Sequence, residues 1–417
     1  MSDPQTEAAL AAGLEWANLL ASGAIWHGAV CAFEGAQAAP SLGLPARWRV
    51  FGADYYDGSA GIARSLAWAA QMDAGDDVRR TAIGALLHSL QRVEGWGLHS
   101  GGMGVALVAI EISPMLDRPE IAEQGYHLAQ QCLTGALVAA EKTTAPTDLL
   151  IGLAGIVHAA ARLSHQGRLE LRDLATEVGH RLVGCSVKTD EGLCWPMLPG
   201  ESTALCGLAH GAAGIALALE DLATVVPDQE RWLDVAEEAR SFERAHFDPH
   251  ESSWADLRPD SLGEGGLPNH PHMWCQGSVG IAHDRLTAHR RRPNCPLMSA
   301  DCSAALLGAR REAGRVLAGP AGPGAGYGAN ASQCHGISGL IDLLVATGTE
   351  HDRKLAHKLA AFVRDDAKGI IGPRSGLASG EPTPGMMLGL AGAAWGQFRA
   401  ALPEKIPCAW TPAPSPI

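Results

Sequence analysis

The sequence has no long apolar run and no excess of basic residues, and each absence argues against a class of protein. No stretch of about 20 consecutive apolar residues occurs, so a membrane span is not expected. Asp and Glu (45) outnumber Lys and Arg (32), which argues against nucleic-acid binding, since that needs a basic stripe. The start, Met1-Ser2-Asp3-Pro4, lacks the basic cluster of a secretory signal. We therefore expect a cytoplasmic protein whose ten cysteines are core residues, metal ligands or nucleophiles.

What the sequence does contain is a repeat. Hydrophobic residues make up 47% and charged residues 18% of the 417 residues, which suits a globular protein with a large core. A Gly-x-x-Gly-like element followed by an Ala- and Leu-rich helical run recurs seven times, 43 to 66 residues apart. This spacing accommodates two ordinary helices and their loops. The final glycines of the seven elements are Gly61, Gly104, Gly155, Gly214, Gly280, Gly339 and Gly392.

The repeat predicts an all-α fold. Apolar helices that follow the glycines alternate with amphipathic segments such as 231–242, and β-signals are sparse. We predict a closed ring of seven hairpins, with seven inner and seven outer helices in one domain over residues 1–400. An open solenoid is the structural alternative. Loops are predicted at 258–272, near the mouth, and at 319–328, and residues 401–417 are expected to form a loose Pro-rich tail.

If each glycine element begins an inner helix, all seven loops meet at one mouth of the ring. The polar residues four to seven positions before each final glycine then face a shared cavity. Those positions hold one or two polar side chains in most repeats, namely Tyr56 and Asp57, His99 and Ser100, Asp148, His210, Cys275, and Cys334 with His335. This inventory suits metal binding and acid–base chemistry. Helix capping is the alternative interpretation for Tyr56, Asp57 and Asp148.

Two of these cysteines occupy the same place in their repeats. Cys275 and Cys334 each lie five residues before the final glycine, although the sequence has no Cys-x-x-Cys. Two Cys and one His form a three-ligand zinc set, and catalytic zinc keeps its fourth position open for water or substrate. Cys206, four residues before His210, is interpreted as a packing residue.

Several motifs resemble the lanthionine synthetase C-like family. Trp274-Cys275-x-Gly277 and Cys334-His335-Gly336, in repeat register, are the most specific, and Asp148 to Gly155 and Leu208-Ala-His210-Gly211 accompany them. Tyr55-Tyr56-Asp57-Gly58 and the stretch from Phe247 to Arg258 are similar to the cyclase part of class II lanthipeptide synthetases. The resemblance spans residues 47–400. It implies an α/α toroid, in agreement with the seven repeats.

The resemblance also implies roles for individual residues. It places one zinc ion on Cys275, Cys334 and His335, and acid–base chemistry on His210 with Asp148 nearby. Gln276 departs from the His or Tyr that is more frequent in the family, and Pro271 replaces an arginine of the nisin-type branch. We expect substrate contacts from His99, Tyr56, Gln276 and His272.

The resemblance implies that the protein is a lanthipeptide cyclase. It would add peptide Cys thiols to dehydroalanine or dehydrobutyrine and so form (methyl)lanthionine thioether rings. A zinc ion would lower the thiol pKa from about 8.5. The chain is too short to include a dehydratase or kinase domain, so the expected partners are a dehydrated precursor peptide and a separate dehydratase or kinase/lyase.

Other functions remain open from the sequence. A glycosidase would need a carboxylate pair, for which the cavity offers chiefly Asp57 and Asp148. A zinc prenyltransferase would be expected to use an Asp ligand. Within the family, the alternatives are a non-catalytic scaffold and an enzyme that adds glutathione to dehydrated residues.

Overall fold

The computed structural model describes residues 3–37, 47–142, 144–196, 200, 203–263, 266–319, 330–368 and 372–412. Within them the chain forms fourteen α-helices and only short strands. The predicted 319–328 loop lies outside the described residues apart from residue 319. The chain folds into two compact units. Unit 1 comprises Met1–Glu94, Gly104–Tyr126 and Ala313–Ser415, and unit 2 comprises Gly95–Met103, His127–Glu312 and Pro416–Ile417.

Seven apolar helices follow the glycine elements. They are α2 (Ser59–Ala70), α4 (Gly102–Ile112), α6 (Leu153–His165), α8 (Ala212–Ala223), α10 (Ser278–Arg291), α12 (Ile337–Ala346) and α14 (Leu390–Ala401). Seven amphipathic helices alternate with them along the chain. They are α1 (Pro4–Ser22), α3 (Asp76–Arg92), α5 (Glu120–Glu141), α7 (Glu170–Gly184), α9 (Gln229–Ala245), α11 (Pro296–Leu317) and α13 (Glu350–Asp366).

The strands form four antiparallel two-stranded sheets in the loops between helices. The pairs are β1 (Ile25–His27) with β2 (Val30–Ala32), β3 (Glu34–Gln37) with β4 (Arg47–Val50), β5 (Val187–Lys188) with β6 (Leu193–Cys194), and β7 (Phe247–Asp248) with β8 (Ser253–Trp254). None of the described helices is long and apolar enough to cross a membrane.

The two helix types differ in burial, as their sequences predict. Every residue of α8 is buried, whereas α9 buries a single stripe that includes Trp232, Ala236 and Phe242. Six of the seven apolar helices have glycine as the N-cap residue, without a side-chain cap. A side chain at Gly155 would place its Cβ 2.1 Å from the Leu149 carbonyl oxygen and 2.8 Å from Leu98 Cβ. Glycine therefore lets the first turn of the helix approach the loop of the previous repeat.

Loops of successive repeats are hydrogen-bonded side by side within each unit. In unit 2, the backbone NH of His99 donates to Leu150 O, and that of Leu149 to Ala209 O. In unit 1, the NH of Cys334 donates to Met387 O, 2.9 Å away, and the NH of Met387 donates to Tyr56 O, 2.8 Å away. The last repeat is therefore joined to the first, as a closed ring requires and an open solenoid does not provide.

The chain ends supply two features that local sequence patterns did not indicate. Helix α1 packs against α14, so the amino-terminal helix is the amphipathic partner of the last apolar helix. Residues 402–412 are packed rather than loose, against expectation. The guanidinium of the buried Arg64 donates to the carbonyl oxygens of Cys408 (3.2 Å) and Ala409 (2.8 Å), and Trp410 is buried. Residues 413–417 lie outside the described part of the chain.

Candidate functional site

Cys334 and His335 end the loop that precedes α12 in unit 1. Cys334 is buried, and His335 is partly exposed. The ring Nε2 of His335 donates to the carbonyl oxygen of Gly376, 2.6 Å away. A proton on Nε2 leaves the lone pair on Nδ1, and a backbone carbonyl is a common partner for the second nitrogen of a metal-binding histidine. His335 is therefore held in the tautomer that a metal ligand requires.

Cys275 occupies the corresponding loop before α10 in unit 2. Gly277, two residues later, has φ of +92°, and a Cβ there would lie 1.7 Å from the carbonyl oxygen of Pro271. Only glycine tolerates this combination of conformation and crowding. The tight turn leaves Cys275 half-buried, while the preceding Trp274 is in the core. The glycine of the Trp-Cys-x-Gly motif therefore has a structural function in positioning Cys275.

His210 and Asp148 form a hydrogen-bonded pair in unit 2. The Nδ1 of His210 lies 2.8 Å from Oδ2 of Asp148. The other carboxylate oxygen of Asp148 accepts from the backbone NH groups of Ile151 and Gly152, which closes the turn before α6. Asp148 is buried, whereas the His210 side chain is 32% exposed. Asp148 therefore has both roles that its sequence position allowed: it stabilises the turn and it orients the imidazole.

The charges around His210 raise the pKa of its imidazole above the ordinary value. Burial lowers that pKa, but the hydrogen bond and the negative charge of Asp148, together with Cys275, outweigh burial. The positive charge of Arg258 opposes them. The backbone NH of Ala209 donates to the carbonyl oxygen of Cys275, 3.2 Å away, and so joins the two loops. His210 is thus an oriented proton carrier beside the loop of a predicted metal ligand.

The four predicted substrate-binding residues differ in their accessibility. His99 and Gln276 are buried; the His99 ring lies 5.5 Å from that of Trp274, centroid to centroid. The side-chain amide of Gln276 donates to Ala255 O at 3.5 Å. His272 is half-buried, with Nδ1 2.7 Å from Ser278 Oγ, and Tyr56 is half-buried as well. Substrate contact remains a prediction for all four.

Two carboxylates, those of Asp54 and Asp57, lie in the loop before α2. Asp54 lies seven residues before Gly61, as Asp148 lies seven before Gly155, and Oδ1 of Asp54 accepts from the backbone NH groups of Asp57 and Gly58. Asp54 therefore closes this turn, and the N-cap residue of α2 is Gly58 rather than Asp57, with no side-chain cap. Burial and the charge of Asp54 raise the pKa of Asp57 to about 7, and His335 opposes this shift. The repeat register could have identified Asp54.

The ligand types that zinc prefers occur in both units. Unit 2 offers the thiol of Cys275, and unit 1 offers the thiol of Cys334 and the imidazole of His335. Unit 1 also contains Asp342 and Cys408, but there the carboxylate is already engaged. Asp342 accepts from Arg399 Nε at 2.8 Å and from the Sγ of Cys408 at 2.7 Å. Burial raises the pKa of that thiol, which keeps it protonated. Cys275, Cys334 and His335 therefore stay the predicted zinc ligands.

A family model described as "Lanthionine synthetase C-like protein" matches residues 49–411. The chain belongs to this family. Among solved structures, the chain is similar to nisin cyclase, with a TM-score of 0.60 and 18% sequence identity over 85% of this chain and 93% of that one. No curated protein matches. The family match and the similarity to nisin cyclase confirm the predicted all-α fold, which is the α/α toroid of the lanthionine synthetase C-like family.

Proposed function

We propose that this lanthionine synthetase C-like protein is a lanthipeptide cyclase. It would close (methyl)lanthionine rings by zinc-dependent addition of peptide Cys thiols to dehydroalanine or dehydrobutyrine. The observation that carries the proposal is the Asp148–His210 pair, 2.8 Å apart, beside the loop of Cys275. An oriented base next to a thiol ligand suits the deprotonation and transfer of a thiol proton. The family and the likeness to nisin cyclase support the same reaction class.

The donor set fits zinc. Cys275, Cys334 and His335 would hold the ion, because two thiolates and one imidazole are typical zinc ligands. The hydrogen bond from His335 to Gly376 fixes the required tautomer. Bound zinc would lower the pKa of the substrate thiol and present its sulfur as the nucleophile. All ten cysteines are thiols, which suits a protein of the reducing cytoplasm.

The chemistry balances within the substrate. His210 accepts the proton of the Cys thiol, and the sulfur attacks Cβ of the dehydrated residue. One C–S bond forms, and the electron pair of the C=C bond moves through Cα to the carbonyl oxygen, giving an enolate. His210 then returns the proton to Cα, and the carbonyl re-forms. Asp148 stabilises the protonated imidazole during the interval. A separate dehydratase or kinase/lyase would supply the dehydrated precursor peptide.

The proposal is tested by Cys334→Ala in the full chain, assayed with zinc and a synthetic peptide that carries one dehydroalanine and one Cys. Wild type should retain zinc and form the thioether. The variant should lose most of its zinc and all detectable ring closure, because one of three protein ligands is gone. Zinc content and the loss of the peptide thiol, followed by mass spectrometry after alkylation, measure both effects.

The matched control is Cys302→Ala in α11, because Cys302 and Cys334 are both 4% exposed. This control should keep zinc and activity apart from a general loss of stability. Ring closure at the wild-type rate by zinc-free Cys334→Ala would refute the mechanism. A second outcome would change the assignment. If the protein adds glutathione to a dehydroalanine peptide without Cys, and closes no ring in the peptide that has Cys, it is a thiol-adding enzyme rather than a cyclase.

A further inference from the structure

The addition creates a negative charge that the residues described so far do not meet. When sulfur attacks Cβ, the electron pair arrives on the carbonyl oxygen of the dehydrated residue. A fixed donor or cation aimed at such an oxygen is a large contributor to catalysis, because it interacts more strongly with the transition state than with the ground state. His210 is protonated at this moment, but its proton is directed to Cα, so a second, permanent cation at the carbonyl oxygen would add to the stabilisation.

Arg258 lies on a segment that is hydrogen-bonded to the loop of Cys275, through Gln276 and the carbonyl oxygen of Ala255, and its positive charge lowers the pKa of His210. Its guanidinium is held by Asp256, with Nε 2.9 Å from Oδ1 and Nη2 2.5 Å from Oδ2 of that carboxylate. Asp256 is buried, and burial is outweighed by its bonds to Arg258 and Ser261, so that its pKa is lowered. The Arg258 side chain remains 51% exposed. The arginine is therefore held by a buried carboxylate while about half of its side chain faces solvent.

The segment that carries Arg258 is fastened to the loop of Cys275. Ser253 Oγ donates to Pro271 O, 2.5 Å away, and accepts from the backbone NH of Ser278, 3.1 Å away. The backbone NH of Asp256 donates to Asn269 O, 2.8 Å away. Gln276, next to Cys275, donates to Ala255 O. These contacts hold the segment of Arg258 against the loop of Cys275, and the backbone NH of Ala209, next to His210, donates to the carbonyl oxygen of Cys275 in the same unit.

The two histidines of the same loop are less suited to this task. His272 places Nδ1 2.7 Å from Ser278 Oγ, and His270 Nε2 lies 3.9 Å from Asp248 Oδ2. Both are charged only when protonated, whereas the guanidinium of Arg258 keeps its charge at every physiological pH. Its planar fork of N–H donors also suits an oxygen with two lone pairs.

We propose that Arg258 binds the carbonyl oxygen of the dehydrated residue and stabilises the enolate that forms there. This inference rests on the proposed cyclase function. It makes Arg258 a catalytic residue and Asp256 the residue that positions it. The product step is unchanged: the enolate collapses to the carbonyl as His210 returns the thiol proton to Cα.

The test compares Arg258→Gln with Arg258→Lys in the full, zinc-loaded chain, using the peptide with one dehydroalanine and one Cys. Arg258→Gln should lower kcat by about 10²-fold, as expected for the loss of one donor to a developing oxyanion. Arg258→Lys should recover part of that loss, because the charge remains but the fork does not. Affinity for the same peptide with Ser in place of Cys should change less than about threefold, because this role operates in the transition state.

Arg181→Gln is the matched control, because Arg181 lies on α7 and is 46% exposed. Zinc content and thermal unfolding should match wild type in all three variants. The inference is overturned if Arg258→Gln closes rings as fast as Arg181→Gln, or if only peptide affinity falls while kcat holds. If Arg258→Gln does not fold, the test rests on Arg258→Lys. A wild-type kcat in that variant would then be enough to overturn the inference. Failure of wild type and Arg181→Gln to close rings would instead refute the cyclase function, and this role with it.

Discussion

Unit 2 contains two charged clusters that differ in what their groups face. In the first, Arg240 on α9 donates to Glu220 at 2.7 Å and to Asp284 at 2.6 Å, and all three side chains are fully buried. In the second, Asp148 is buried, but its partner His210 is partly exposed. Arg258 and Asp256 repeat this arrangement of a buried carboxylate and an accessible cationic partner.

The difference distinguishes a structural cluster from the proposed functional one. In the cluster of Arg240, Glu220 and Asp284, the buried opposite charges contact one another. Burial lowers the pKa of Arg240, but the two carboxylates outweigh burial and raise it. Nothing there can reach a substrate. At the site, a buried carboxylate orients a cationic or titratable group that is partly exposed. Such half-anchored groups can act on a ligand without moving far.

The largest effect on ring closure in this comparison is expected from the His210 pair. Asp148→Asn should lower kcat/KM by about 10- to 100-fold, and His210→Asn should lower it further, by up to about 10⁴-fold, because the proton carrier itself is lost. Asp148 raises the pKa of His210, so its neutralisation should lower that pKa. Because His210 must begin neutral to accept the thiol proton, the acidic limb of the pH profile of kcat/KM should move to lower pH.

The readout is a pH profile of ring closure at saturating zinc. If the acidic limb of the profile does not shift and the rate falls equally at every pH, the only role of Asp148 is to stabilise the turn before α6. A loss of zinc in Asp148→Asn would also contradict the comparison, because this pair is assigned to proton transfer and not to the metal.

The substitution Arg240→Met is expected to change the rate of ring closure little and to lower the stability of the fold. Removing the guanidinium takes one cationic partner from each buried carboxylate, although Arg292 still pairs with Glu220 and Arg285 with Asp284. This loss should cost about 1–3 kcal/mol of unfolding free energy. Activity per folded molecule should stay within about twofold of wild type. Denaturant unfolding and ring-closure rates below the transition measure the two quantities. Unchanged stability, or a selective loss of kcat in the folded variant, would break the distinction between the clusters.

The sequence predicted those features that repeat. Glycine spacing located the start of every apolar helix, and a shared register singled out Cys275 and Cys334. The resemblance placed Asp148 near His210, and the two side chains are hydrogen-bonded. These features depend on local backbone geometry, which a recurring pattern reveals. The residue assignments for zinc and for substrate remain predictions.

Features without a repeat pattern could not be predicted. The pairing of α1 with α14 joins the two ends of the chain, and no local periodicity encodes so distant a contact. The burial of His99 and Gln276 depends on side-chain direction within a loop, which spacing does not specify. Arg258 lies outside the register of the glycine elements; the sequence predicted its loop near the mouth, but the anchoring of its guanidinium by Asp256 required the folded structure.

The central claim is that Cys275, Cys334 and His335 bind one zinc ion and leave a position for the substrate sulfur. X-ray absorption at the zinc edge tests it in the full chain, with the dehydroalanine peptide whose Cys is retained and with the same peptide carrying Ser. We expect one zinc per chain with two sulfur ligands, rising to three when the Cys peptide binds and staying at two with the Ser peptide. A site without zinc, or one already closed by a fourth protein ligand that the Cys peptide does not displace, would contradict the account.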